Sequence, residues 1–396
     1  MKINQTIAQK ALQRTSDIID NVGPRLSGTT SCLDTADLLY NDMDTFTDST
    51  AKEHFILHQG AFLGWIRILV SSYALGVLFL WLNMPLITMI LLTLSILILV
   101  FQFFLYKPLI DFLYPKKSGC NVIGTIEPLG EVKEQIIISG HHDSARIFNF
   151  LIYQPKLYDL RVTGGIFLVI FLLLVSVFAF FLPSTIFTLI LKIFVSIGFL
   201  LTGQMWFFAS NKGTPGAGDN LISSSMAIEL GRYFSEHKLQ NTRIIIASFD
   251  AEEEGLRGAR AYAKAHQEEF TQIPTTLLNV DCPYHLKDIF CLTTDLNGSV
   301  PLSQELATEL VAIAHEKQYP AKHQPIAFLT GGTDAAELAK VGVKATTLLA
   351  MPWSNSERSS VYHTPQDTID SIETEAVEAI VDIFMEYIQK QDSKTL

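Results

Sequence analysis

"EQIIISGHHDSARI", residues 134–147, is a β-branched run that stops at two histidines, an aspartate and a serine. A short apolar run bounded by polar residues reads as a buried strand, and here the polar cluster follows its end. Two histidines in a loop are ordinary. A metal site would need further ligands from elsewhere in the chain, so the rest of the sequence decides between the readings.

Runs of the same kind recur as "CNVIGTIEP" (120–128), "TRIIIASFD" (242–250), "TTLLNVDCP" (275–283), "DIFCLTT" (288–294) and "VKATTLLAM" (343–351). Helical periodicity predicts helices over Ser223–His237, Gly258–Glu269, Ser303–Lys317 and Glu373–Gln389. The alternation predicts an α/β fold with a mostly parallel central sheet flanked by helices. In such a sheet, ligands bind beyond the carboxyl ends of the strands. His141 and Asp143 follow one run, Glu252, Glu253 and Glu254 follow a second, and Asp281 closes a third.

Two blocks break the pattern. Gly60–Tyr106 has Arg67 as its only charge, and Thr163–Ala209 has only Lys192. Each is interrupted once, by "LNMP" and "LPST", leaving halves of roughly 20 residues, enough to cross ~30 Å of hydrocarbon. Core helices are usually shorter and keep a polar stripe, which these lack. The sequence therefore predicts an integral membrane protein with four transmembrane α-helices, inserted as two hairpins (60–106 and 163–209) into a unit built from 1–59, 107–162 and 210–396. Arg67 and Lys192 lie close enough to span ends to snorkel. Both hairpin turns are uncharged, whereas Lys52, Lys107, Lys116, Lys117, Arg146, Lys156, Arg161 and Lys212 lie on the other side, which the positive-inside rule places in the cytoplasm.

The formal charge of −11 argues against a nucleic-acid partner. Cys32, Cys120, Cys282 and Cys291 have no C-x-x-C spacing and read as free thiols, in keeping with a reducing compartment. The polar start "MKINQTIAQKALQRTSDIID" gives no sign of a cleavable signal peptide.

Reading on from His141, Asp219 stands in "GTPGAGDNLISSS", Glu252 and Glu253 in "FDAEEEGLRGA", Asp281 in "NVDCP" and His363 in "SSVYHTPQDT". Two histidines and three carboxylates suit a pair of zinc ions with one bridging carboxylate. A spare carboxylate beside a ligand suits hydrolysis, because coordination lowers the pKa of water toward ~7 and a neighbouring base can take its proton. The order H-x-D, G-x-G-D-N, A-E-E-x-G-L-x-G, N-x-D, Y-H-T-P-x-D-T resembles the zinc aminopeptidases of metallopeptidase family 28, a family that includes leucyl aminopeptidases, glutamate carboxypeptidases and glutaminyl cyclases. "NVGPRLSGTTSCLDTADLLYNDM" (21–43) resembles that family's N-terminal helix and turn.

The resemblance implies two zinc ions per chain. His141 and Asp281 would bind one and Glu253 and His363 the other, with Asp219 bridging. Glu252 would be the general base, and Asp143 would orient the His141 imidazole. His142, at the variable position of H-x-D, is expected to line the pocket or face solvent. The implied activity is a membrane-anchored aminopeptidase acting on small peptides with a free N-terminus. Phe328, Leu329, Met351, Trp353 and Tyr362 fall near the family's pocket segments.

Three departures stand out. The second hairpin separates His141 from Asp219, which is expected to bring the site close to the bilayer surface. "GGTDAAELAKVGVKA" replaces a Ser-Asp-His segment, leaving Thr333 and Asp334 without an assigned role. Asn220 stands where an Asp-Asp pair is common. Two other readings remain open: an amide hydrolase or cyclase acting on a lipid-linked or acylated substrate, and a non-catalytic transport or scaffold protein. The spans offer only Gln102, Gln204 and scattered Ser and Thr for transport. Anchoring, or homo-oligomer contacts through the hairpins, is the expectation.

Overall fold

A computed structural model describes residues 2–183, 185–352 and 361–395. The chain forms two compact units, one made of Met1–Gln59, Lys116–Ile147 and Lys212–Leu396, the other of Gly60–Pro115 and Phe148–Asn211.

In the first unit a nine-stranded sheet contains β1 (Ser49–His58), β2 (Lys116–Ile126), β3 (Glu134–His141), β6 (Thr242–Phe249), β7 (Thr275–Asp281), β8 (Ile289–Asp295), β9 (Val300–Pro301), β10 (Lys322–Pro325) and β11 (Lys344–Ala350). The order is β1-β2-β6-β3-β7-β11-β8-β10, with β9 paired to β8. A separate two-stranded ladder joins β4 (Arg146–Phe148) to β5 (Ala209–Gly213). The central strands β6, β3, β7 and β11 are parallel, as expected. The flanks are not wholly so, since β1 on β2, β2 on β6 and β8 on β11 are antiparallel.

Because side chains alternate along a strand, the isoleucine runs feed two cores at once. Ile136, Ile138, Ile244, Ile246, Leu278 and Val280 face α1 (Ile3–Val22), α2 (Thr30–Met43), α8 (Ile222–Glu236), α10 (Gln304–Glu316) and α12 (Thr374–Lys394). Ile137, Ile245 and Leu277 pack under α9 (Arg257–Gln272) and α11 (Ala335–Ala339). Burying each such aliphatic side chain contributes about 1.5–3 kcal/mol. The central strands are thereby fixed in register, and so are the loops at their carboxyl ends.

The second unit contains α3 (Gly64–Trp81), α4 (Pro85–Leu99), the one-turn α5 (Asn149–Ile152), α6 (Tyr158–Phe181) and α7 (Ile186–Gly203). Four of its helical stretches are long and apolar enough to cross a membrane: Gly64–Trp81, Pro85–Phe104, Pro155–Phe181 and Ile186–Phe207. α6 starts five residues ahead of the apolar block at Thr163. Its first turns tolerate Arg161 because the guanidinium lies 3.4 Å from the Phe150 ring centroid and donates to Gln204 Oε1 at 2.7 Å. Lys192 extends to the turn between Gly64–Trp81 and Pro85–Phe104. It is 7% exposed and donates from Nζ to Asn83 Oδ1 at 2.9 Å, so the turn of the first hairpin supplies its acceptor.

Candidate metal centre

The catalytic-type residues sit where the central strands end. His141 is the last residue of β3 and Asp281 the last of β7. Beyond β6 the chain turns through Ala251 (φ 61°) into Glu252 and Glu253. Cys282, after Asp281, and His363 itself also have left-handed backbone, at φ 50° and 53°. Such φ values are costly for residues with a Cβ and concentrate at functional sites. The G-x-G of "GAGDN" has a local explanation. Gly216 adopts φ 66°, and a Cβ on Gly218 would lie 2.0 Å from the Tyr284 ring. The loop can therefore press against Tyr284 and deliver Asp219 to the sheet end.

There the side chains converge. The Asp219 carboxylate lies between two imidazoles, with Oδ1 3.3 Å from His141 Nε2 and Oδ2 3.2 Å from His363 Nε2. Glu253 Oε1 is 3.3 Å from His363 Nε2, and Glu252 Oε2 is 3.9 Å from His141 Nε2. Ligand-type atoms of His141, Glu252 and Asp281 fall within 4.8 Å of one another, as do those of His141, Asp219 and Glu253. His141 Nε2 is buried among the carboxylate oxygens, yet makes no hydrogen bond of acceptable geometry among the described residues. An aimed imidazole lone pair amid hard oxygen donors is what a borderline dication such as zinc accepts, so the donor set fits that group.

Electrostatics agree with a site built for positive charge. Burial pushes Asp281 up to about 7, with the neighbouring Asp219 adding to it. Burial also raises Glu252, against the pull of His141. Asp219 goes the other way: burial is outweighed by the two imidazoles beside it, and its pKa falls. His363 rises to about 9, since Glu253 and Asp219 outweigh its desolvation. Burial without counter-charge thus disfavours the charged forms of Glu252 and Asp281.

Asp143 binds the parts together. Its Oδ1 accepts from the Glu252 N–H at 3.2 Å and lies 3.2 Å from His141 Nδ1. Its Oδ2 accepts from the Glu253 N–H at 3.2 Å and from the Ser27 hydroxyl at 2.7 Å.

Other contributors escaped assignment from the sequence. Asp367, the last acid of Y-H-T-P-x-D-T, accepts from the Gly218 and Asp219 N–H groups at 2.8 and 3.2 Å and from the Tyr284 hydroxyl at 3.0 Å. Its place in that motif was the available signal. Arg25, fully buried, donates to the carbonyls of Gly23, His142, Pro215 and Gly216, and its place in "NVGPRLSG" was the available signal. Thr333 donates to Asp295 Oδ2 at 2.6 Å, and Asp334 is buried with a raised pKa beside the acids. Asn220 donates to the Val280 carbonyl at 2.8 Å. His142 corrects an expectation: it neither lines the pocket nor meets solvent. It is fully buried, with Nδ1 2.9 Å from Ser248 Oγ, because alternation past β3 turns it away from His141. Of the expected pocket residues, Phe328 is 67% exposed, Leu329 is half-buried, Met351 is buried, Tyr362 packs on His363 with ring centroids 3.9 Å apart, and Trp353 lies outside the described residues.

Residues 201–388 match the model of peptidase family M28. That stretch holds Asp219, Glu252, Glu253, Asp281 and His363, while His141 and Asp143 precede it. Solved structures with this fold include a Zn-dependent exopeptidase from Parabacteroides distasonis ATCC 8503, 13% identical with TM-score 0.58, covering 96% of this chain and 97% of that one. A leucine aminopeptidase precursor from Bacteroides thetaiotaomicron VPI-5482 is 12% identical with TM-score 0.57, covering 96% of each chain. A glutaminyl cyclase from Fimbriiglobus ruber is 14% identical with TM-score 0.57, covering 96% of this chain and 94% of that one. No curated protein sequence matches.

Proposed function

We propose that this chain, a zinc metallopeptidase with an M28 segment, is a membrane-anchored di-zinc aminopeptidase that removes N-terminal residues from small peptides. The observation carrying the proposal is Asp219, whose two oxygens each lie within 3.3 Å of a different imidazole, the arrangement a bridging carboxylate needs. His141 and Asp281 would hold one ion, and His363 and Glu253 the other. Bound there, the metals would supply an activated water and polarise the scissile carbonyl.

The remaining work falls to side chains. Glu252, on the His141 side of the cluster, would take a proton from the attacking water and hand it to the leaving amine. Burial raises its proton affinity, which suits a group that must hold that proton between the two events. Asp143 is a positioning residue, fixing the His141 ring and, through two backbone N–H groups, the Glu252–Glu253 turn. The acids around the site favour a substrate bearing a cationic α-amine. The four long apolar helices support anchoring in a bilayer, and the flanking lysines and arginines support a cytoplasmic catalytic unit.

Glu252→Gln tests the mechanism, because it removes the base and leaves every proposed ligand in place. The variant should keep its zinc and lose turnover by about 10²–10⁴-fold. Wild-type turnover at full zinc occupancy would refute the role.

A further inference from the structure

Beside the site just described, a second group of side chains of metal-ligating type is sealed in the core. Cys32 on α2, His142 just past β3 and Asp250 just past β6 are each fully buried, and one ligand-type atom from each lies within 4.8 Å of the other two. We propose that these three residues form a separate, structural site for a thiophilic divalent cation such as zinc, with one trapped water completing a tetrahedron.

Three features point this way. Cys32 Sγ and Asp250 Oδ1 are 3.2 Å apart. Tetrahedral bonds of about 2.3 Å to sulfur and about 2.0 Å to oxygen place those atoms about 3.5 Å apart, so an ion can replace the shared thiol proton after a shift of a few tenths of an ångström. The other Asp250 oxygen accepts from the Cys120 N–H at 2.9 Å, which fixes the carboxylate.

The second feature is His142. Its Nδ1 is 2.9 Å from Ser248 Oγ, which is 2.8 Å from Ser224 Oγ. Its Nε2 is buried with no partner among the described residues. A site of this kind requires the tautomer in which Nδ1 donates to Ser248 Oγ and Nε2 keeps its lone pair, which is how proteins prepare a histidine ligand. Left empty, that buried lone pair costs free energy.

The third feature is charge. A thiolate and a carboxylate neutralise one dication, so no net charge enters the core. Binding releases the Cys32 thiol proton to solvent. Such an ion would clamp α2 to the ends of β3 and β6, next to the residues that carry His141 and Glu252.

Cobalt(II) tests the proposal, since only a thiolate ligand gives a near-ultraviolet sulfur-to-cobalt charge-transfer band. Cys282 adjoins Asp219 and Asp281 and is the competing thiol. The full-length wild type, Cys32→Ser, His142→Gln and Cys282→Ser proteins would be stripped, loaded with Co²⁺ alone, and measured for the band and for cobalt per chain. The expected result is a band in wild type and Cys282→Ser, its loss in Cys32→Ser, and one fewer cobalt in Cys32→Ser and His142→Gln. No band at saturating cobalt, or a band lost only in Cys282→Ser, overturns the proposal. Should Cys32→Ser not fold, His142→Gln and Cys282→Ser still decide it.

Discussion

Asp143→Asn is the sharpest structural perturbation, because the substitution keeps volume and changes only charge and one acceptor. The carboxylate accepts three hydrogen bonds, from the Glu252 N–H, the Glu253 N–H and the Ser27 hydroxyl, and faces His141 Nδ1. The best asparagine rotamer keeps its oxygen at the Oδ1 position, serving Glu252 and His141. Its amide then points at Ser27, whose hydroxyl can rotate to accept, and at the Glu253 N–H, which cannot. One buried donor is orphaned at about 1–3 kcal/mol, and the surviving bonds lose their charge assistance, so a total near 3 kcal/mol is expected. The Glu253 turn is loosened, whereas His141 Nδ1 keeps the Asp143 backbone carbonyl at 3.1 Å, so zinc affinity should drop toward the low end of about 10–100-fold. Thermal unfolding of detergent-purified protein with and without zinc, together with a chelator competition, reads both quantities. Ser27→Ala, which removes one bond, should cost about 1 kcal/mol. If Asp143→Asn unfolds within about 0.5 kcal/mol of wild type and holds zinc as tightly, the proposed positioning role is wrong.

Two further outcomes follow from surface chemistry. His266 on α9 has Nε2 2.7 Å from Glu53 Oε1 and Nδ1 3.4 Å from Glu269 Oε2, and the Glu53 bond raises its pKa against desolvation. A raised folded-state pKa stabilises fully below the unfolded value of about 6.5 and is lost as pH climbs through the folded value. His266→Gln should therefore lower stability by about 0.5–1 kcal/mol at pH 6 and by much less at pH 9, and an equal cost at both pH values would contradict the assignment. The topology is testable because all four native cysteines are buried and so give a silent background. A cysteine introduced at Glu305, whose side chain is 75% exposed, should react with a membrane-impermeant maleimide only in opened cells. Labelling in intact cells would place the catalytic unit outside.

The central strands and the cluster of histidines and acids at their ends were legible because each rests on a strong local signal. The β-branched runs need no long-range context, and the motifs carry unusual residues in fixed order. β1 was not read as a strand. "STAKEHFILH" pairs only with β2 at the sheet edge and buries only Leu57 fully, so it needs no apolar alternation. The early start of α6 was hidden because Arg161 finds its partners, Phe150 and Gln204, elsewhere in the chain. Arg25 and Asp367 act by capturing backbone groups of distant loops, which leaves no periodicity at their own positions. His142 was misplaced because the variable position of H-x-D suggested a pocket or surface residue, whereas strand geometry sends neighbours to opposite faces and here turns it into the core.

The central claim is tested most directly by hydrolysis of a panel of aminoacyl amides, each offered free and N-acetylated, by zinc-loaded protein with the Glu252→Gln protein as blank. The account predicts release of the free-amine residue alone, with N-acetylated members untouched. Cleavage of acetylated members as readily as free ones, or no cleavage with zinc bound, would contradict the aminopeptidase assignment and favour an acylated or lipid-linked amide.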